Sequence, residues 1–63
     1  MPLITVQLFE GRTIEQKRAY AKALTDASVE VLGIEPGAVD VIFQDVRKSD
    51  WATAGVLWNE NTK

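Results

Sequence analysis

The chain contains no cysteine and no histidine. Disulfide staples are therefore excluded, and the common zinc and copper sites lose their usual ligands. Charge of one sign is also missing. Seven basic residues face nine acidic ones, the net charge is −2, and no Lys/Arg block or stripe appears. Such a balance excludes the electrostatic footprint of a nucleic-acid partner. No apolar run approaches the roughly 20 residues that cross a bilayer, so no membrane partner is expected. The first ten residues lack a basic start and a cleavage site, so no signal peptide is read there and the cytoplasm is the expected location. Repeats, low-complexity stretches and linkers are absent as well.

What is present is a short, apolar chain. Its 63 residues form one domain over 1–63, and 46% of them are hydrophobic. A chain of this size buries only about 60% of the surface its unfolded form exposes. With disulfides gone and metals disfavoured, self-association is the remaining stabiliser, and a homo-oligomer is expected.

The run LITVQLF, Leu3 to Phe9, alternates as a strand does. Ile4, Val6 and Leu8 share one face; Leu3, Thr5, Gln7 and Phe9 share the other. A turn at EGR follows, and TIEQ then fits a capping box, with Thr13 as cap and Gln16 reaching back. The helix is expected from Ile14 to Leu32, with Ile14, Ala21, Leu24, Ala27, Val31 and Leu32 as its apolar stripe. Lys17, Arg18, Lys22, Asp26 and Glu30 are assigned to its wetter sides. Gly33 stops the helix, with Ile34 folding back on Val29 in a Schellman motif. Pro36 sets a single turn. Val39 to Val46 reads as the second strand, RKSD as a polar loop, and the tail from Trp51 as a short third strand or hairpin.

Strand, helix and strand make a single β-α-β unit with parallel strands, an α/β (α+β) chain with a short C-terminal hairpin. One helix covers one sheet face. The other face and both edges have nothing in this chain to cover them, which again predicts completion by oligomerisation.

Chemistry concentrates near the N-terminus. Pro2 lies directly behind Met1, where a strand tolerates proline because no ladder N–H is needed. The bland reading is a strand starter. The sharp one is that loss of Met1 exposes a secondary amine. An α-amino group titrates near about 7.7–8.0, and an apolar pocket or a nearby arginine lowers that value. The neutral amine then suits a general base. Arg12 follows the first strand. It is either a solvated turn residue or a two-pronged holder of a carboxylate.

Met-Pro, an alternating strand, EGRT and then EQK opening a helix resemble the 4-oxalocrotonate tautomerase family. The stretch LFEGRTIEQKRA carries the likeness most specifically, and the likeness runs over nearly the whole chain. It implies a tautomerase with no cofactor. In it the freed amine of Pro2 moves a proton between two positions of a small 2-hydroxy or 2-oxo unsaturated carboxylate. It implies that Arg12 binds the substrate carboxylate, and that Trp51, where the type enzyme has phenylalanine, walls the site. It also implies a hexamer, a trimer of dimers, with sites shared between subunits.

Asp40 departs from that pattern. The type enzyme has an arginine at this position, so the charge is reversed here. A carboxylate there repels a dicarboxylate substrate. Arg47 and Arg18 are the candidate replacements. Asp40 also opens an alternative resembling the 3-haloacrylic acid dehalogenases, a hydratase or lyase in which an acid activates water. The bland reading of Asp40 is a solvated or paired surface residue. Trp58 is assigned to packing between subunits. A third alternative is a silent oligomeric binding protein, for if Met1 stays on, the nitrogen of Pro2 is an amide and not a base.

Overall fold

The computed structural model describes residues 1–60. Strand β1 (Leu3–Phe9) leads into helix α1 (Ile14–Leu32), then strand β2 (Asp40–Val46). Two short strands, β3 (Ala52–Thr53) and β4 (Val56–Leu57), close the chain as a hairpin. Single 3-10 turns sit at Pro36–Ala38, Lys48–Asp50 and Trp58–Glu60. β1 and β2 pair in parallel, from Leu3 opposite Asp40 to Phe9 opposite Val46. The fold is thus the β-α-β unit with parallel strands and a C-terminal hairpin. β2 starts one residue later than expected. The Val39 N–H closes the 3-10 turn on the Pro36 carbonyl at 3.1 Å and is unavailable to the ladder.

Local sequence rules account for the helix ends. Thr13 Oγ1 accepts from the Gln16 N–H at 3.0 Å, and Gln16 Oε1 accepts from the Thr13 N–H at 3.0 Å. Both halves of the capping box are present, with Glu15 in the first turn. At the other end Gly33 takes φ 65°, a left-handed conformation that side chains resist, and donates its N–H to the Val29 carbonyl at 2.9 Å. That single bond is the simpler left-handed cap and not the Schellman pair.

The helix face differs from the expected stripe. Lys17, Ala21, Leu24, Thr25, Ser28 and Val29 turn inward, at spacings of three and four. Ser28 is accommodated there because its hydroxyl donates to the Leu24 carbonyl at 2.8 Å. Lys17 leaves the wet side because Asp45 on β2 takes its ammonium at 3.0 Å. Ile14, Val31 and Leu32 stay exposed, Val31 at 79%, and Ala27 joins them. Tyr20, Ala27 and Val31 therefore form a second apolar flank that this chain does not cover.

No side chain among the described residues is fully buried. The radius of gyration is 15.0 Å, against about 11 Å for a compact chain of this length. The helix lies over β2 and the Pro36 turn, leaving the β1 side of the sheet more open. The sheet's second face carries Leu3, Thr5 and Ile42, together with a cross-strand amide bond from Gln7 Nε2 to Gln44 Oε1 at 3.0 Å. One chain thus forms little interior among the described residues. We expect its melting temperature to rise with protein concentration, read by calorimetry over a hundredfold dilution series; a concentration-independent transition would contradict this.

The hairpin turn has its own strain. Ala54 sits at φ 55° and Gly55 at φ 80°, so both central residues are left-handed. Alanine resists that region, whereas asparagine enters it readily. Ala54→Asn is expected to stabilise the protein by about 0.5–1 kcal/mol in denaturant unfolding.

Candidate active site

The two ends of β1 carry different chemistry. At its start, Pro2 is half-buried and its carbonyl accepts the Asp40 N–H at 3.0 Å. Asp40 is exposed and heads β2. Strand alternation puts Asp40 on the open face with Leu3, while Pro2 falls on the helix-covered side with Ile4. At the far end, the Glu10 N–H reaches the Val46 carbonyl at 3.0 Å and extends the ladder by one step. Gly11, at φ 110°, then swings the chain into the helix.

Arg12 follows Gly11 and is exposed. It borders a groove of about 390 Å³ between the first turns of α1 and the free side of β1. Val6, Leu8 and Phe43 supply an apolar floor, and Gln7, Gln16, Lys17 and Tyr20 the walls. Tyr20 lies 6.0 Å from Phe43, ring to ring. Among the described residues Arg12 has no ion pair, so its guanidinium is available to an anion.

Trp51 lies at this same end, on the open face. Its ring is 4.5 Å from Phe9, and Trp58 is 5.3 Å from Phe9 on another side. Trp58 is held by its indole N–H, which donates to Thr53 Oγ1 at 2.8 Å, and by its backbone N–H on the Trp51 carbonyl at 2.9 Å. Lys48 stands 5.8 Å above the Phe9 ring. A more open cleft beside it is lined by Glu10, Arg47, Lys48, Ser49 and Asn59. Arg47 is engaged by Asp50 at 3.3 Å and lies at the opposite end of β2 from Asp40. Within one chain it therefore does not stand in for an arginine at that position. Arg18 lies outside the groove as well.

The structure thus places Arg12 and Trp51 at one end of the sheet, though Trp51 does not line the Arg12 groove, and Pro2 and Asp40 at the other. From Pro2 to Phe9 the chain is extended, about 23 Å at roughly 3.3 Å per residue. Within one chain these residues do not meet. The groove residues Gln7, Lys17 and Tyr20, and Asp45 behind Lys17, were not singled out from sequence. The one signal pointing to Asp45 is its parity with Val41 and Phe43, which places a carboxylate on an apolar face.

A family model described as a tautomerase enzyme matches residues 2–61. The chain belongs to that family. It is 43% identical over 60 residues to a probable tautomerase, RSp1151, of Ralstonia nicotianae, covering 95% of this chain and 92% of the relative. It is 40% identical over 55 residues to a 2-hydroxymuconate tautomerase of Bacillus subtilis, covering 87% and 89%. Among solved structures it is similar to YwhB, a homologue of 4-oxalocrotonate tautomerase, with 35% identity and a TM-score of 0.91 over 95% of this chain and 98% of that one. The tautomerase is accordingly an isomerase of the 4-oxalocrotonate tautomerase type.

Ligand binding at the Arg12 end has an optical reporter. In a Trp58→Phe background, Trp51 is the sole remaining tryptophan. A saturating small carboxylate is expected to change its emission, and Arg12→Ala to weaken that binding about 10- to 100-fold. Unchanged affinity in Arg12→Ala would remove Arg12 from the site.

Proposed function

We propose that the tautomerase works through the amine of Pro2 after loss of Met1, on a small 2-hydroxy or 2-oxo unsaturated carboxylate held by Arg12 of a second copy. The observation that carries this reading is the separation of Pro2 and Arg12 by the length of β1, together with the outer edge of that strand, which is unpaired among the described residues. An edge strand of this kind pairs with another chain. Antiparallel pairing of β1 with its own copy about Val6 sets Leu3 opposite Phe9 and Pro2 opposite Glu10. Each Pro2 then arrives beside the other chain's Arg12 groove, and a two-fold pair holds two identical sites. Met1 is 81% exposed, so its peptide bond is open to removal.

The chemistry needs only a base and an anion holder. The neutral amine accepts the proton of the enol hydroxyl, and the O–H electron pair becomes the new carbonyl π bond. The displaced C=C pair takes the same proton from the ammonium at carbon. The amine is regenerated and no cofactor enters. Arg12 fixes the carboxylate so that both positions stay within reach of one nitrogen. The apolar floor of the groove disfavours the charged ammonium and so favours the neutral amine. The open sheet face, still uncovered in a pair, supports further assembly into a hexamer of three pairs. Metabolism of small acids in the cytoplasm is the setting that suits such a site.

Nothing within one chain favours the hydratase or dehalogenase alternative. Asp40 and Pro2 fall on opposite faces, so one chain does not offer acid and amine to the same water. A silent binding protein would show no proline-dependent turnover.

Subunit mixing tests the shared site. Met1-free Pro2→Ala and Arg12→Ala proteins are each expected to lose most ketonisation of an enol such as that of phenylpyruvate. Unfolded and reassembled together in equal amounts, they should recover about a quarter of wild-type activity, since half the pairs are mixed and each holds one intact site. No recovery would place Pro2 and Arg12 of a single chain in one site, against this reading. Full activity of Pro2→Ala alone would remove the proline base.

A further inference from the structure

The groove beside Arg12 contains a second cation that its surroundings neutralise. Lys17 lines the groove. Its ammonium lies 3.0 Å from Asp45, and its side chain is 23% exposed against 46% for Asp45. Asp45 shares its face of β2 with Val41 and Phe43 and pairs in register with Leu8. Half-exposed near the end of β2, this carboxylate is open to a cationic partner. Lys17, one turn into α1, supplies it across the layer and ties the start of the helix to the end of β2.

The pairing changes what the groove offers a ligand. Two cations line it, but only Arg12 is uncommitted among the described residues. The floor of Val6, Leu8 and Phe43 offers nothing to a second charge. A ligand in the groove therefore meets one free positive charge and an apolar surface. At the other end of β1, the side chain nearest to Pro2 along the ladder that carries charge is again a carboxylate, Asp40.

We propose that Asp45, by holding Lys17, sets the charge class of the substrate as a monocarboxylate with an apolar body and disfavours dicarboxylates. The proposal rests on the assignment of the Arg12 groove to the substrate. Asp45 touches no reacting atom; it determines specificity through Lys17. Freeing Lys17 gives a second carboxylate a cation of its own. A unit charge acting over about 6 Å of half-wet groove, at an effective dielectric of about 40, corresponds to roughly a tenfold change in binding.

The test uses two non-reacting ligands with the same body and different charge, 4-methylbenzoate and terephthalate, so that it does not depend on turnover. Dissociation constants are measured by calorimetry at one ionic strength for the assembled wild type, Asp45→Asn and Lys17→Met/Asp45→Asn. Wild type is expected to prefer 4-methylbenzoate. Asp45→Asn should raise the relative affinity for terephthalate about tenfold, and the double variant should return it to near the wild-type value. An unchanged ratio in Asp45→Asn, with both ligands weakened alike, would make the ion pair purely structural and overturn the proposal. A raised ratio that persists in the double variant would overturn it too, since Lys17 would then not be the cause. Should Asp45→Asn fail to assemble, Lys17→Met alone decides. It leaves Asp45 unpaired beside the groove and should lower the ratio about tenfold, whereas no change overturns the proposal. Loss of proline-dependent turnover with the charge effect intact would defeat the reading of the reaction and leave this one standing.

Discussion

The unpaired edge of β1 governs this molecule. Among the described residues β1 has one ladder partner, β2, and its other side presents backbone donors and acceptors to solvent. The helix leans over β2, so the same side of the sheet is also the less covered one. Exposed apolar groups collect along it, with Tyr20 and Val31 on the helix flank. Backbone pairing and apolar burial therefore favour the same event, addition of another chain along β1. In the proposed function that event also brings Pro2 of one copy to Arg12 of the other. Stability and the proposed chemistry thus share a single strand edge, and a change that weakens the edge is expected to act on both.

The site divides its electrostatics along the strand. The Arg12 end holds the uncommitted guanidinium, an apolar floor and a neutralised lysine. The Pro2 end holds a proline whose nitrogen becomes an amine only on loss of Met1, and an exposed carboxylate on the neighbouring strand. Brought together head to tail, these ends are complementary. In the proposed function neither end is a site by itself: one supplies the anion holder and the other the base.

Most of the fold was legible from sequence because it follows short-range rules. The alternation of Leu3 to Phe9, the Thr13/Gln16 box, the left-handed Gly33 and the Pro36 turn each depend on a few neighbouring residues. The inward face of α1 was less legible. Helical spacing identifies a stripe, but which stripe meets the sheet depends on where the helix lies, and it lies over β2. Lys17 was placed on the wet side because lysine usually is; the carboxylate that draws it inward is 28 residues away. Pro2, Arg12, Asp40 and Trp51 stood out through the Met-Pro start, the EGR turn and the family likeness. Their separation into two ends was not visible, since it follows from the register of Leu3 on Asp40 and Phe9 on Val46. The Phe9–Trp51–Trp58 cluster was hidden for the same reason, as hairpin residues meet a strand more than 40 positions earlier.

The amide pair on the open sheet face carries an evolutionary consequence. Gln7 and Gln44 satisfy each other at 3.0 Å in the middle of a surface whose neighbours are Thr5, Leu3 and Ile42. When that surface is covered, replacing one glutamine by an aliphatic residue strands the other, whereas replacing both removes two polar groups at once. The path between an amide pair and an apolar pair therefore crosses a less fit intermediate. Among relatives of this chain, positions 7 and 44 should change together and seldom singly. The pair would then be inherited as a unit, although 36 residues separate its members along the chain.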